Sequence, residues 1–357
     1  MHTIPTLTGI ESRMIDTPRL RQHVRFSGPE SGIPVLFVHG NNSSSVFWEE
    51  RMLDLAEEQR GIAPDLRGYG DSEFKPVNAT RGCADFADDL LALADTLGLK
   101  RFHVIGHSLG GAVVWALLAA APARLRSVTL VAPGSPYGFG GTKDIDGTPC
   151  WPDFAGSGGG LVSPEFAHRQ SLKDRTEVNP SSAPRVVMNR YYWKPPFKPA
   201  REEELLSSVL SIHVGPEHHP GDLVPSANWP GTGPGVFGPN NALSPKYVGD
   251  LLERILAIPR KPPILWIHGA DDQIVSDTSL FDLGTLGKLG AVPGWPGDES
   301  FPSQPMKRQT RHFLKRYAGR GGGYREIELT DCGHTPFIEL PEAFNGVFHD
   351  LLRRTAH

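Results

Sequence analysis

Apolar and polar positions in the first third of the chain alternate between strand-like and helix-like patterns. Residues 34–39, Pro-Val-Leu-Phe-Val-His, form a continuous apolar run, which is typical of a strand buried in a parallel sheet. Alternation of this kind indicates an α/β fold with a mostly parallel central sheet and helices on both faces. The patterns predict strands at 20–28, 34–39, 61–65, 101–106 and 127–132, and helices at 48–59, 84–97 and 109–121.

The alternation stops between about Pro133 and Pro245, a stretch that holds 17 of the 33 prolines. Short helical pieces such as 201–210 occur there, but the stretch is too long for a structureless loop in a compact domain. It should therefore be an inserted subdomain with its own packing. Beyond it the alternation returns and predicts strands at 263–268 and 324–330, and helices at 246–257, 305–317 and 341–354.

These boundaries predict a single core interrupted by a large lid. The core comprises residues 1–136 and 246–357, and the lid comprises residues 137–245. A second irregular insertion, at 279–304, lies within the C-terminal part of the core.

The overall composition is that of an ordinary globular protein. Hydrophobic residues make up 39% of the 357 positions and charged residues 21%. The net charge of −4 is small for this length and offers no basic excess for nucleic acid. We expect a small-molecule partner and no nucleic-acid partner, and the sequence does not specify the oligomeric state.

Cysteine usage and hydropathy add expectations about the compartment. Cys83, Cys150 and Cys332 are too scattered for a disulfide framework and show no metal-binding spacing. Residues 1–20 hold no uninterrupted apolar run, so we expect no signal peptide. The most apolar run, 111–123, is too short to cross a bilayer. These features favour a cytoplasmic protein without a membrane partner.

The segment Gly106-His107-Ser108-Leu109-Gly110 lies between a predicted strand and a predicted helix. A Gly-x-Ser-x-Gly segment in this context forms a sharp turn that exposes the serine oxygen above the sheet, and only small residues fit on either side. The helix that follows places backbone N–H groups beside that oxygen. Ser108 is therefore the candidate nucleophile, with an ordinary helix N-cap as the simpler alternative.

A serine hydroxyl needs a base to remove its proton, and the base needs a supporting acid. His334 follows the last predicted strand, where Gly333 lets the loop bend toward the sheet edge. Two adjacent carboxylates, Asp271 and Asp272, follow the preceding strand, and the position of Asp272 three residues beyond Gly269 favours it. The exit of the strand before that, residues 131–135, carries no carboxylate.

Acyl transfer also requires hydrogen-bond donors aimed at the developing oxyanion. The backbone N–H of Leu109, directly after the candidate nucleophile, is one expected donor. The second is expected from the loop after the strand at 34–39, where Gly40 lets the N–H of Asn41 turn inward. We also expect Asn42 and His107 to line the pocket.

In these features the chain resembles the α/β-hydrolase superfamily, of the lidded serine esterase, lactonase and C–C hydrolase type. The resemblance implies a hydrolase but no particular substrate, and it implies that the Asp65 loop is structural, which leaves Arg67 outside the catalytic set. Epoxide hydrolases and haloalkane dehalogenases of this fold use an aspartate nucleophile, so Ser108 argues against both. The matching motifs are His39-Gly40, Asp65-x-Arg67-Gly68-x-Gly70-x-Ser72, Gly106-His107-Ser108-Leu109-Gly110-Gly111, Gly269-x-x-Asp272 and Gly333-His334-x-Pro336-x-x-Glu339.

The predicted lid departs from the usual helical cap in its length and its many aromatic residues. These aromatics either roof a pocket for a bulky apolar substrate or form the core of the lid itself. Trp193 and Trp229 are the two that we predict to face substrate. The pair His218-His219 lacks further ligands at metal spacing, so we predict no metal site.

Together these features predict a carboxylesterase or lactonase that acts through an acyl-enzyme and needs no cofactor. The expected substrate is fairly bulky and apolar. A C–C bond or amide hydrolase with the same triad is one alternative. A non-catalytic ligand-binding member of the fold is another, although such a protein would be expected to carry a broken triad.

Overall fold

An eight-stranded sheet runs through the protein in the computed structural model, which describes residues 4–356; residues 1–3 and 357, at the outer ends of the predicted core, lie outside it. Its strands in chain order are β1 Glu11–Asp16, β2 Arg21–Ser27, β3 Ile33–Val38, β4 Gln59–Pro64, β5 Phe102–His107, β6 Leu125–Val131, β7 Ile264–Gly269 and β8 Tyr324–Leu329.

The order of the strands across the sheet is β1-β2-β4-β3-β5-β6-β7-β8. β1 pairs antiparallel with β2, and β2 pairs antiparallel with β4. All the later neighbours are parallel, from β4 with β3 across to β7 with β8. The predicted, mostly parallel sheet is therefore confirmed. The carboxyl ends of β3, β5, β6, β7 and β8 lie along one edge of it.

Helices cover both faces of this sheet. In chain order, the helices of the described residues are α1 Glu49–Leu53, α2 Ala84–Thr96, α3 Leu109–Ala120, α4 Pro164–Ser171, α5 Pro184–Tyr191, α6 Glu202–Val209, α7 Pro239–Ala242, α8 Leu251–Leu256, α9 Leu283–Lys288, α10 Met306–Gly319, α11 Pro336–Glu339 and α12 Pro341–Arg354. Short 3₁₀ turns occur at Ser45–Trp48, Ala79–Arg81, Pro122–Arg124, Gly158–Leu161 and Pro245–Tyr247.

Each face of the sheet has its own hydrophobic core. Successive side chains of a strand point to opposite faces, and so Val104 of β5 joins one core while Ile105 joins the other. We call the first the α3 face, because α2, α3, α8 and α10 pack on it. The second, the α12 face, is covered mainly by α1, α6 and α12.

The chain leaves the sheet at Val131 and returns to it at Ile264, so the intervening stretch contributes no strand to it. This stretch contains α4 to α8 and two small two-stranded pairings. Its short strands are Val214–Gly215, His219–Pro220, Leu223–Pro225 and Thr232–Pro234. Within residues 4–356, no helix is both long enough and apolar enough to span a bilayer.

Three elements differ from the sequence-based prediction. The edge strand β1 was not predicted, because most of its residues are exposed and it carries no apolar alternation. The predicted helix at 48–59 is only α1, since the chain turns at Asp54 and enters β4 at Gln59. The predicted helix at 246–257 is a 3₁₀ turn followed by α8, and Gly249, at φ +55°, separates the two.

The junction of β3, β5 and α3 is packed backbone against backbone. A Cβ atom on Gly110 would lie 2.3 Å from the Val38 carbonyl oxygen and 2.5 Å from that of His39. A Cβ on Gly106 would lie 2.3 Å from the Gly110 carbonyl oxygen. Glycine at these positions therefore lets α3 start directly against the ends of two strands.

This packing predicts that Gly110→Ala costs about 3 kcal/mol of unfolding free energy, because backbone atoms cannot move aside as a flexible side chain would. The matched control is Gly346→Ala in α12, where an added Cβ meets no atom within 4 Å. That change should be neutral or stabilise by up to about 1 kcal/mol, since alanine favours helix. Urea denaturation of both variants measures the difference, and equal stabilities would contradict the close-packing argument.

Candidate active site

Ser108 stands at a strained turn between β5 and α3. Its backbone has φ +55° and ψ −116°, a conformation that costs energy for a residue with a side chain. The Ser108 N–H donates to the Val131 carbonyl at 3.0 Å, and the Ser108 carbonyl accepts from Gly134 at 3.1 Å. These bonds to the chain around the end of β6 hold the turn in place. The strand, sharp turn and helix predicted around Ser108 are all present.

His334 and Asp272 form a buried hydrogen-bonded pair at the same edge of the sheet. The Nδ1 atom of His334 lies 2.8 Å from Oδ2 of Asp272. The other oxygen, Oδ1, accepts from the backbone N–H groups of Ile274 and Val275 at 2.8 and 3.0 Å. A carboxylate so held fixes the imidazole with Nδ1 as the donor, which leaves Nε2 free to accept a proton.

The neighbouring carboxylate, Asp271, is exposed and points elsewhere. It makes an ion pair with Lys194, whose ammonium group lies 3.0 Å from Asp271 and 2.8 Å from Asp331. Of the two carboxylates that the sequence left in competition, Asp272 is the one that contacts His334.

The loop that carries His334 is fastened on two sides. His107 Nε2 donates to the His334 carbonyl at 2.9 Å, and burial together with the charge of His334 holds the pKa of His107 well below its usual range. On the other side, the Glu339 carboxylate accepts the N–H groups of Gly333 at 2.8 Å and Lys194 at 2.8 Å. Sequence reasoning did not assign Glu339 a role, although it stands in the motif Gly333-His334-x-Pro336-x-x-Glu339.

The loop after β3 lies directly against Ser108. Gly40 approaches so closely that an added Cβ would lie 3.1 Å from the Ser108 Cβ. Asn42 adopts a left-handed conformation, φ +48°, that asparagine tolerates better than most residues. In the described part of the chain, the N–H groups of Asn41 and Leu109 donate to no other protein group, so both remain free for a ligand oxygen.

The Asp65 loop supports this arrangement from below. Tyr69 donates its hydroxyl hydrogen to Oδ1 of Asn41 at 2.7 Å, and the Leu66 N–H donates to Nε2 of His39 at 2.9 Å. Burial lowers the pKa of His39, which favours the neutral ring that can accept this bond. The loop therefore positions the stretch that contains Asn41 through two hydrogen bonds.

A cavity of about 300 Å³ lies above the turn, and Ser108 and His334 both line it. Asn41, Asn42, His107 and Leu109 line it as well, as expected from the sequence. The rest of the lining is largely apolar and was not predicted. Its aromatic members are Phe139, Phe166, Tyr191, Tyr192 and Phe281.

A family model described as the alpha/beta hydrolase fold matches residues 33–286. This span covers most of the chain, including Ser108 and Asp272, and ends before His334. The protein belongs to the α/β-hydrolase family.

Sequence similarity to curated relatives of this α/β hydrolase is confined to shorter segments. It is 32% identical over 127 residues to an uncharacterized carboxylesterase of Bacillus subtilis (strain 168), which is 36% of this chain and 42% of the relative. It is 33% identical over 120 residues to epoxide hydrolase 2 of Siraitia grosvenorii, covering 33% of this chain and 37% of the relative. In both cases the aligned segment spans less than half of the relative's length.

Among solved structures, the enol-lactonase of Burkholderia xenovorans LB400 is similar over its whole length. The comparison covers 96% of this chain and 100% of the enol-lactonase, with a TM-score of 0.56 and 20% sequence identity. At this identity the similarity concerns the fold, and it agrees with the sheet and helices described above.

Trp193 and Trp229, which we predicted to face substrate, do not line the cavity of this α/β hydrolase. Trp193 is buried on the α12 face and packs closely against Gly333. A Cβ atom added to Gly333 would lie only 3.0 Å from the Cα of Trp193. Trp229 packs on Phe301, with ring centroids 4.9 Å apart, and donates its N–H to the Pro293 carbonyl at 2.9 Å. Trp229 thus joins the two irregular insertions to each other, and both tryptophans have a packing role.

The pair His218-His219 has no metal-binding surroundings in the described residues. Between positions 4 and 356, no group of three or more histidine, cysteine, aspartate or glutamate side chains is arranged to hold a metal ion. His219 is buried, and burial lowers its pKa to about 3, so it is neutral at ordinary pH.

The carboxylate of Asp65 gives a stability prediction for the loop below the site. Burial alone would raise the pKa of Asp65, but its hydrogen bond to His23, the charge of His23 and the N–H of Ser45 together hold that pKa well below its usual range. A carboxylate with a lowered folded pKa stabilises the fold above its unfolded pKa of about 3.9 and loses that contribution as the pH falls toward the folded pKa.

We therefore expect Asp65→Asn to cost about 2 kcal/mol of unfolding free energy at neutral pH. The gap between wild type and variant should narrow by about 1 kcal/mol between pH 5 and pH 3, as the wild type loses its advantage. Urea titrations at each pH measure the gap, with the exposed Asp16→Asn as control. A gap that stays constant with pH would show that the charge of Asp65 does not stabilise the fold.

Proposed function

We propose that this α/β hydrolase is a serine hydrolase that cleaves a carboxylic ester or lactone through an acyl-enzyme. The observation that carries the proposal is that Ser108 and His334 line one cavity, with His334 hydrogen-bonded to the buried Asp272. Serine at a strained turn, an oriented imidazole and two free backbone N–H groups are the parts that acyl transfer requires.

The proposed reaction has two stages. His334 Nε2 takes the proton of Ser108 as the serine oxygen attacks the substrate carbonyl, and Asp272 stabilises the imidazolium that forms. The N–H groups of Asn41 and Leu109 hold the oxyanion of the tetrahedral intermediate. His334 then gives its proton to the leaving alkoxide, which departs as the alcohol. In the second stage His334 activates water, and attack on the acyl group releases the carboxylic acid and restores Ser108.

The cavity narrows the expected substrate class. Its apolar and aromatic lining favours an apolar acyl or alcohol group, and about 300 Å³ is at the lower end of the range for small-molecule pockets. We therefore propose that the substrate is a compact apolar ester or lactone. It is smaller than the fairly bulky substrate expected from the many aromatic residues of the predicted lid. We also propose that the stretch from 137 to 245 acts as the lid, since Phe166, Tyr191 and Tyr192 of the lining belong to it.

Other activities remain as alternatives to ester hydrolysis. Epoxide hydrolysis is disfavoured, because hydrolases of that kind on this fold use an aspartate where this chain has Ser108. C–C bond or amide hydrolysis needs the same three residues, so the substrate distinguishes it from ester cleavage. A carboxylesterase among the relatives and an enol-lactonase among the structural neighbours support the ester and lactone classes.

The first test is covalent labelling with a fluorophosphonate, which reacts with an activated serine. The wild type should be labelled on Ser108, as peptide mass spectrometry identifies, and should hydrolyse members of a panel of chromogenic esters and lactones. Cleavage of amides or of C–C bonds alone would favour the alternative activities. Absence of labelling together with absence of turnover would overturn the proposed function.

Ser108→Ala should fold normally and lose on the order of 10⁶ in kcat, as in other triads where the nucleophile is removed. The measurement is turnover of the best ester, with the melting temperature as the check on folding. Appreciable turnover by a purified Ser108→Ala protein would rule out the mechanism.

Asp272→Asn should lower kcat by about 10⁴, because an amide in place of the carboxylate stabilises the wrong tautomer of His334. Asp271→Asn is the matched control, one residue away on the same loop but exposed and paired with Lys194. It should keep most of the activity. If the two variants lose activity equally, the effect lies in the loop as a whole and the role given to Asp272 is wrong.

A further inference from the structure

A second cavity lies beside the proposed catalytic cavity, on the α3 face of the sheet. Its volume is also about 300 Å³, and it is bounded by α2, α3 and the stretch from 242 to 254. Five alanines of α2 and α3 are among its lining residues, namely Ala84, Ala87, Ala112, Ala116 and Ala120. Charged residues, among them Arg81, Asp88 and Arg254, also border it.

Three stretches of chain form the wall between the two cavities. In each stretch one residue lines the catalytic cavity and a near neighbour lines the second. The pairs are Leu109 and Ala112 in α3, Gly134 and Ser135 after β6, and Asn240 and Ala242 in α7. The two cavities therefore have these three stretches of chain as a common wall.

Leu243 is the single described residue that lines both cavities. Its side chain lies close to Gly134 in the wall: an added Cβ on Gly134 would lie 3.6 Å from Leu243 Cδ2 and 3.9 Å from the Ser108 carbonyl oxygen. The backbone of Leu243 is fixed, since its carbonyl accepts from Phe139 N–H at 2.7 Å. A shorter side chain at position 243 would therefore remove the part of the wall that Leu243 forms between the two cavities.

The position of Leu243 relative to His334 indicates which part of an ester it meets. The His334 ring lies 4.6 Å from that of His107, which in turn packs against Phe337 on the α12 face. Leu243 packs on the opposite, α3 face. The leaving oxygen must lie beside His334 to receive its proton, which leaves the side of Leu243 for the acyl chain.

We propose that Leu243 is a specificity-determining residue that limits the length of the acyl chain, with the second cavity as the space behind it. The inference rests on the proposed ester hydrolysis and assigns a substrate feature to it. A straight apolar chain is the group that the alanine side chains of α2 and α3 would contact, while the charged Arg81, Asp88 and Arg254 lie at the border of the space.

The test compares p-nitrophenyl esters from acetate to palmitate in the wild type and four variants. Leu243→Ala joins the cavities, and Leu243→Val does so in part if the alanine variant folds poorly. Leu286→Ala is the matched control, since it is a half-buried leucine that lines only the catalytic cavity. Leu243→Ala combined with Ala116→Leu refills the second cavity from α3. Melting temperatures establish that each protein is folded.

In the Leu243→Ala protein, the ratio of kcat/KM for long esters to that for acetate should rise about fourfold for each methylene that enters the second cavity, from roughly 0.8 kcal/mol per buried CH₂. Leu286→Ala should show no such progression, and Ala116→Leu should cancel it. An equal change in both leucine variants, or a gain that survives Ala116→Leu, would overturn the inference.

Two further outcomes separate the inference from the proposed function. A matched series of alkyl acetates varies the length of the alcohol chain instead of the acyl chain. If the esters are cleaved but Leu243→Ala shifts the length preference only in that series, the group next to Leu243 is the alcohol and the acyl assignment is wrong. If no ester is cleaved and a fluorophosphonate does not label Ser108, the proposed function itself fails and the inference fails with it.

Discussion

The close approach of three backbones at the end of β5 is the constraint on which the rest of the site depends. Gly106 and Gly110 allow the ends of β3 and β5 and the start of α3 to meet at distances that a Cβ would forbid, and Gly40 lets the chain after β3 approach Ser108 closely. Because of this contact, Ser108 and the free N–H groups of Asn41 and Leu109 fall within one small volume. The strain at Ser108 is maintained by hydrogen bonds to Val131 and Gly134.

The His334 loop meets this rigid centre through polar contacts of a different kind. It carries no close-packed glycine junction with Ser108 and is instead held by the neutral imidazole of His107 and the buried carboxylate of Glu339. Glu339 also accepts the N–H of Lys194, which belongs to the inserted stretch. A single carboxylate therefore joins the loop that carries the imidazole to the stretch that supplies Tyr191 and Tyr192 to the cavity. Through this carboxylate, movement of the inserted stretch would change the position of the loop that carries His334.

Features with a short-range physical signature could be predicted from the sequence. The buried strands appear as apolar runs, and the turn at Ser108 requires small residues at fixed offsets, so the sheet and the placement of Ser108, Asp272 and His334 around one cavity followed from pattern and chain order. The cavity lining could not be predicted in the same way. Trp193 and Trp229 have the composition of pocket residues, but their contacts, with Gly333 and Phe301, come from parts of the chain distant in sequence.

The two faces of the sheet serve different requirements of the proposed reaction. The α12 face supports the orientation of His334, and the α3 face provides space for an apolar chain. On the α12 face, aromatic rings such as Phe337 and Trp48 surround His107 and shield it from water, and His107 in turn holds the loop of His334. On the α3 face, alanines of α2 and α3 line a second cavity, and Leu243 lines both this cavity and the one at Ser108. Proton transfer tolerates little displacement, whereas the fit of an apolar chain depends mainly on volume. Substitutions on the α3 face can therefore change which acyl group fits without disturbing the hydrogen bonds that orient the imidazole.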